Sequence, residues 1–159
     1  MVKNIFFVGA GGIGMANLER YFLSKGHNVG GYDRTPSELT DALRQEGARI
    51  FFDDDPSLIG PQWRDPADTL VVYTPAVPAD NRVLSSFREG GFEVIKRAAL
   101  LGKITHDSDG ICVAGSHGKT TVSSMAGLIL HRARAGCNAF LGGILRNTGS
   151  NLLVSPGSR

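Results

Sequence analysis

Hydrophobic residues fall along this chain in short runs, separated by stretches in which they recur at helical spacing. Asn4 to Val8 (NIFFV) is apolar on both faces, as a strand inside a parallel sheet requires. From Met15 to Lys25 the apolar positions Met15, Leu18, Phe22 and Leu23 follow one helical face, and Gly26 ends the pattern. Asn28 to Tyr32 reads as a second strand with Asp33 at its carboxyl end. The alternation then repeats. Thr35 is placed to cap, with Pro36 in the first turn, a helix running to about Glu46, and a short strand follows over Ala48 to Phe52.

Residues 53–68 are polar and proline-rich, predicting a loop with one turn of helix. Within it Asp53, Asp54 and Asp55 invite a metal reading. Adjacent acids rarely face one ion, however, and Asp55-Pro56 has the form of a helix cap. Trp63 is read as a packing anchor. Thr69 to Tyr73 is a clear strand, and Thr74-Pro75-Ala76-Val77-Pro78 makes a rigid loop at its carboxyl end, the rim where open α/β sheets bind ligands. Asp80 or Asn81 caps a helix to Arg88, Gly90-Gly91 breaks it, and Phe92 to Ile95 predicts another strand before a short helix over Arg97 to Gly102. The turn-rich stretch His106 to Gly110 is the expected domain boundary. A strand over Ile111 to Ala114, a helix to about Arg134 and an indistinct tail complete the pattern.

Two glycine loops follow apolar runs. The first, Gly9-Ala-Gly-Gly-Ile-Gly14, is a G-x-G-x-x-G match between a strand and a helix, with Asp33 about 20 positions beyond it. The second is Val113 to Thr121 (VAGSHGKTT). Its backbone N–H groups could converge on phosphate oxygens, Lys119 could place a positive charge on the β/γ-phosphates, and the Thr120 hydroxyl could ligate Mg²⁺. The following helix would point its positive end at the same anion. The general phosphate-loop pattern asks for glycine where Val113 stands, and the nearest upstream glycine is Gly115. His117 either touches nucleotide or is simply exposed. A lone G-x-G-x-x-G would suggest a nicotinamide dehydrogenase domain, with Asp33 gripping a ribose. Two phosphate loops about 100 residues apart instead suit an enzyme that joins a nucleotide-linked substrate to something else with ATP. An inert binding module with a structural second loop is the plainest alternative.

The chain has 159 residues, 42% of them hydrophobic and 20% charged, as in ordinary soluble proteins, and its length predicts one domain or a little more. Its 21 glycines cluster in turns after apolar runs. A net charge of +2 argues neither for nucleic acid nor for an anionic membrane, and His131, Arg132 and Arg134 read as the solvated end of a helix. Cys112 and Cys137 form no disulfide framework or metal motif, and Cys112 is expected as a small buried residue. The start leads straight into a strand and no apolar run approaches a membrane span, so a cytoplasmic protein is expected. No acidic residue occurs after Asp109, although a phosphate-binding α/β domain needs one to hold Mg²⁺, so the chain reads as part of something longer.

The stretches Phe7–Met15 (FVGAGGIGM), Gly31–Asp33 (GYD), Tyr73–Asn81 (YTPAVPADN), Val94–Ala98 (VIKRA) and Ala114–Thr121 (AGSHGKTT) together resemble the Mur ligase family of bacterial peptidoglycan synthesis. The single-glycine spacing before Gly118 is normal there, whereas Ser116 stands where the family usually has threonine. The resemblance implies a Rossmann-like α/β domain over residues 1–108, with a parallel sheet and helices on both faces. Residues 109–159 would then begin a phosphate-loop ATPase α/β domain. The resemblance is closest to the branch whose reaction phosphorylates the carboxylate of UDP-N-acetylmuramate with ATP and lets the amine of L-alanine displace phosphate. It assigns Gly11, Gly12, Ile13 and Gly14 to the diphosphate, and Asp33, Thr74, Pro75, Ala76 and Val77 to the ribose and uracil. Gly115, Ser116, His117, Gly118, Lys119, Thr120 and Thr121 would hold ATP, with Lys119 catalytic and Thr120 on Mg²⁺. A relative that attaches a ready-made tripeptide to the same sugar nucleotide is the runner-up. These residues alone are expected to lack ligase activity while retaining affinity for the UDP moiety, and an exposed sheet face of the 110–159 segment could recruit a second copy of the chain.

Overall fold

The structure is a computed structural model that describes residues 2–106 and 108–155. The chain divides into two compact units, Met1–Leu101 and Gly102–Arg159. Asp107, within the predicted boundary stretch, and residues 156–159 of the tail lie outside the described residues.

The first unit is built around β1 (Asn4–Val8), whose five residues are all buried. It is flanked by β2 (Asn28–Tyr32) and β4 (Thr69–Tyr73), with β3 (Arg49–Phe51) and β5 (Glu93–Lys96) at the edges. All pairings are parallel, in the order β3-β2-β1-β4-β5, so the predicted parallel α/β sheet is present. A central strand with neighbours on both sides and cover on both faces must be apolar throughout, which is why NIFFV occupies it. Period-two alternation turns Phe6 and Val8 to one face, where they join Trp63, Val83, Leu84 and Phe87. The Phe6 ring lies 4.8 Å from Phe87 and 5.9 Å from Trp63, and Trp63 is only 3% exposed, the packing anchor expected of it.

The connecting helices are α1 (Ile13–Ser24), α2 (Glu38–Gln45), α3 (Arg82–Glu89) and α4 (Arg97–His106). Two predictions need correction here. Ser37, not Thr35, caps α2: its hydroxyl accepts from the Thr40 N–H while Thr40 Oγ1 accepts from the Ser37 N–H, a reciprocal arrangement that starts the helix two residues late. The helix expected over Arg97 to Gly102 continues to His106, because Gly102 is tolerated inside it. The polar 53–68 stretch contains two 3-10 turns, Pro56–Leu58 and Pro61–Trp63, the first capped by Asp55.

In the second unit, α5 (Lys119–Arg132) packs on the antiparallel hairpin β6 (Ala139–Leu145) and β7 (Ser150–Leu153). Close packing centres on Gly127, where an added Cβ would come within 2.8 Å of the Ala139 side chain. The strand predicted over Ile111 to Ala114 is not formed: no strand among the described residues pairs with it, Ile111 is 75% exposed, and Cys112 is exposed rather than buried. An apolar run becomes a strand only when another edge satisfies its backbone.

Candidate functional site

The chain winds outward from β1 through β2 to β3 and then crosses back to place β4 on the other side of β1, and an open parallel sheet has its crevice at such a switch point. At the carboxyl ends of these strands lies a cleft of about 790 Å³. Gly9, Gly11 and Gly12 form one wall, Thr74, Ala76 and Val77 another, and Asp33 lies at its edge. Ile13, Gly14 and Pro75, also singled out in the sequence, are not among the residues lining the cleft. Ile13 and Gly14 begin α1 directly beyond it.

Local backbone chemistry holds the first wall. The Gly9 and Ala10 N–H groups both donate to the Tyr32 carbonyl, at 2.8 and 3.0 Å. Gly11 N–H donates to Asp33 Oδ2 at 2.7 Å, and Thr35 N–H donates to Asp33 Oδ1 at 3.0 Å. One carboxylate oxygen of Asp33 therefore ties the glycine loop to the end of β2, and the other is taken by the turn that follows the strand. The opposing loop closes on itself through Val77 N–H to the Thr74 carbonyl at 3.1 Å. The walls meet at Gly9, which has φ +89°, and a Cβ there would stand 2.5 Å from Thr74 Cγ2. Only glycine fits that junction.

Asp54, weighed in the sequence only as part of an acidic triplet, is a structural acceptor. Its carboxylate receives the Asn81 side-chain amide at 2.8 Å and the Arg82 and Val83 N–H groups at 2.9 Å each. It thereby places negative charge at the amino end of α3, while Asn81 accepts from the Leu84 N–H at 2.8 Å. The Ser57 N–H holds the Asp55 carboxyl below its ordinary range. Among the described residues no group of three or more His, Cys, Asp or Glu is placed to hold a metal. Tyr32, Arg34, Ser37, Asp54 and Asn81 also line the cleft and were not assigned to it from sequence. Their common signal is position at or beyond a parallel strand's carboxyl end.

Behind the glycine loop, α1 buries Glu19 completely, and neither carboxyl oxygen has a hydrogen-bond partner among the described residues. Burial raises its pKa well above the ordinary carboxylate range. The charge of Asp33 reinforces this, Arg20 opposes it, and Glu46 adds to it.

The second loop belongs to the other unit and is exposed from Ala114 through Thr121. Gly115, Ser116 and His117 form a bend, and Gly118, with φ +75°, precedes α5. Lys119 Nζ donates to the Gly115 carbonyl at 2.6 Å and to the Ser116 carbonyl at 3.2 Å, so the loop curls around its own ammonium. Thr120 packs against β6: its Oγ1 lies 3.3 Å from where a Gly142 Cβ would stand, and Thr121 is solvent-exposed. The first turn of α5 contains no acidic residue and Gly118 offers no side-chain cap, leaving the positive end of the helix open to an anion.

Residues 4–108 match the Mur ligase family, catalytic domain. The UDP-N-acetylmuramate–L-alanine ligase of Phocaeicola vulgatus is 59% identical over 157 residues, covering 99% of this chain and 34% of its own length. The enzyme of the same description from Porphyromonas gingivalis strain W83 is 51% identical over 157 residues, with 99% and 34% covered. The chain thus spans about a third of the length of the curated relatives it matches. Among solved structures, UDP-N-acetylmuramate–alanine ligase from Thermotoga maritima superposes with a TM-score of 0.85 at 31% identity, covering 98% of this chain and 35% of that one. A murein peptide ligase from Psychrobacter arcticus gives a TM-score of 0.79 at 26% identity, with 96% and 33% covered.

Proposed function

This chain belongs to the Mur ligase family, and from that premise we propose that its first unit binds the UDP moiety of a UDP-N-acetylmuramyl substrate while residues 109–159 begin an ATP-binding domain. The observation that carries the reading is the cleft over the β1–β4 switch point, floored by a glycine loop at the amino end of α1. The names and high identity of the curated relatives favour L-alanine as the acceptor amine.

In the full-length protein the reaction would be ligation. A phosphoryl group passes from ATP to the muramyl carboxylate, and the amine of L-alanine then displaces phosphate to form the amide. The second loop fits a polyphosphate, since it joins an exposed bend, an open helix amino terminus and the Lys119 ammonium. Lys119 would offset charge on the transferred group. The fit to Mg²⁺ is partial. Thr120 supplies one hydroxyl, whereas such ions take one or two carboxylates besides phosphate, and no acidic residue follows Asp109. These 159 residues are therefore expected to bind nucleotide without turning over, in keeping with their share of the relatives' length.

Gly12 offers a clean test. A Cβ there would make only ordinary contacts, the nearest at 3.7 Å, so Gly12→Leu should fold while its side chain fills the cleft. Calorimetric titration should show UDP-N-acetylmuramate binding to the wild-type chain and not to Gly12→Leu. Equal binding to both would place the ligand elsewhere.

A further inference from the structure

Arg97 opens α4 at the carboxyl end of β5 and reaches back to the first turn of α1. A Cβ on Gly14 would lie 3.0 Å from Arg97 Nη1, 3.2 Å from Cζ and 3.4 Å from Cδ, so the guanidinium presses against the backbone of the glycine loop's last residue. Any side chain at position 14 would displace it. Arg97 is half-buried, and among the described residues its guanidinium has neither a hydrogen bond nor an ion pair.

Electrostatically this is an unfavourable seat. The amino end of α1 carries partial positive charge, no acidic residue lies in its first turn, and no side chain caps it. A cation held there opposes the helix dipole and has no ion pair among the described residues to offset it. An anion bound at the loop would offset that repulsion, because it would receive the helix N–H groups and the fork of the guanidinium together.

We infer that Arg97 is a ligand-binding residue of the nucleotide site, donating to anionic oxygens of the substrate where it passes the Gly14 end of the loop. This rests on the UDP-substrate reading above and deepens it. Three groups of such a substrate carry anionic oxygens: the first and second phosphates of the diphosphate, and a carboxylate borne by the sugar.

The test is calorimetric titration of the wild-type chain, Arg97→Met and Arg97→Lys with UMP, UDP, UDP-N-acetylglucosamine and UDP-N-acetylmuramate. Methionine keeps the packing stem without the charge, and lysine keeps the charge without the fork. Because Arg97 has no hydrogen-bond or ion-pair partner among the described residues, all three chains should melt together. For UDP-N-acetylmuramate, Kd should rise about tenfold or more in Arg97→Met, as expected for a lost charged hydrogen bond. Lysine should recover part of that loss. Weakening that extends to UMP would identify the first phosphate as the partner, and weakened UDP with unchanged UMP the second. Weakening confined to UDP-N-acetylmuramate would identify the carboxylate, which the N-acetylglucosamine compound lacks. Wild-type Kd values in Arg97→Met for every ligand would overturn the role of Arg97 alone. Failure of the wild-type chain to bind any of the four would overturn the UDP-site reading itself, and this inference with it.

Discussion

Single side chains around the glycine loop divide into those that shape it and those left to meet a ligand. Asp33 shapes it: with both oxygens engaged by Gly11 and Thr35 N–H groups, it acts first as a strut. Removing it leaves a loop N–H without its acceptor, so Asp33→Ala should weaken UDP-N-acetylmuramate binding about tenfold through a looser loop, readable by calorimetry. Unchanged affinity would show that the strut is dispensable. Glu19 makes a different prediction. Its folded pKa is raised, whereas the unfolded carboxyl ionises near the ordinary value of about 4.3. Above that value the unfolded chain binds fewer protons than the folded one, so stability is full at low pH and falls as pH rises toward the folded pKa. Glu19→Gln cannot ionise. Its melting temperature relative to the wild type should rise between pH 5 and pH 8, and a difference flat with pH would contradict the buried, neutral carboxyl.

At the scale of elements, Asp54 and Asn81 together start α3 behind the cleft. Asp54→Ala should cost about 0.5–2 kcal/mol in denaturant unfolding, the range for losing a carboxylate acceptor at a helix amino terminus. Phe6→Ala in β1 should cost about 3–5 kcal/mol, because the ring is fully buried beside Phe87 and Trp63. The strands β1 and β4 were legible because an apolar run buried on both faces has few other readings. The start of α2 was not, since Thr35-Pro36 and Ser37 both offer cap chemistry and it is the reciprocal pair of Ser37–Thr40 bonds that sets the start at Ser37. The unformed strand over 111–114 failed for a non-local reason: its residues have strand character, but pairing depends on an edge that the described residues do not supply.

For the molecule as a whole, the two glycine loops were legible as motifs because each sits between an apolar run and a helix. What sequence could not display was which distant residues complete each site. Tyr32, Asp54 and Asn81 reach the cleft only because the strand order β3-β2-β1-β4-β5 brings several strand ends to one rim. Arg97 meets Gly14 through the same topology, across 83 positions of chain (97 − 14). The central claim is that this rim holds a UDP-linked sugar acid rather than a nicotinamide cofactor. The most direct measurement is calorimetric titration of the chain with UDP-N-acetylmuramate and, in a parallel cell, with NADH. The account predicts saturable binding of the UDP compound and none of NADH; binding of NADH alone would contradict it and return the cleft to dehydrogenase chemistry.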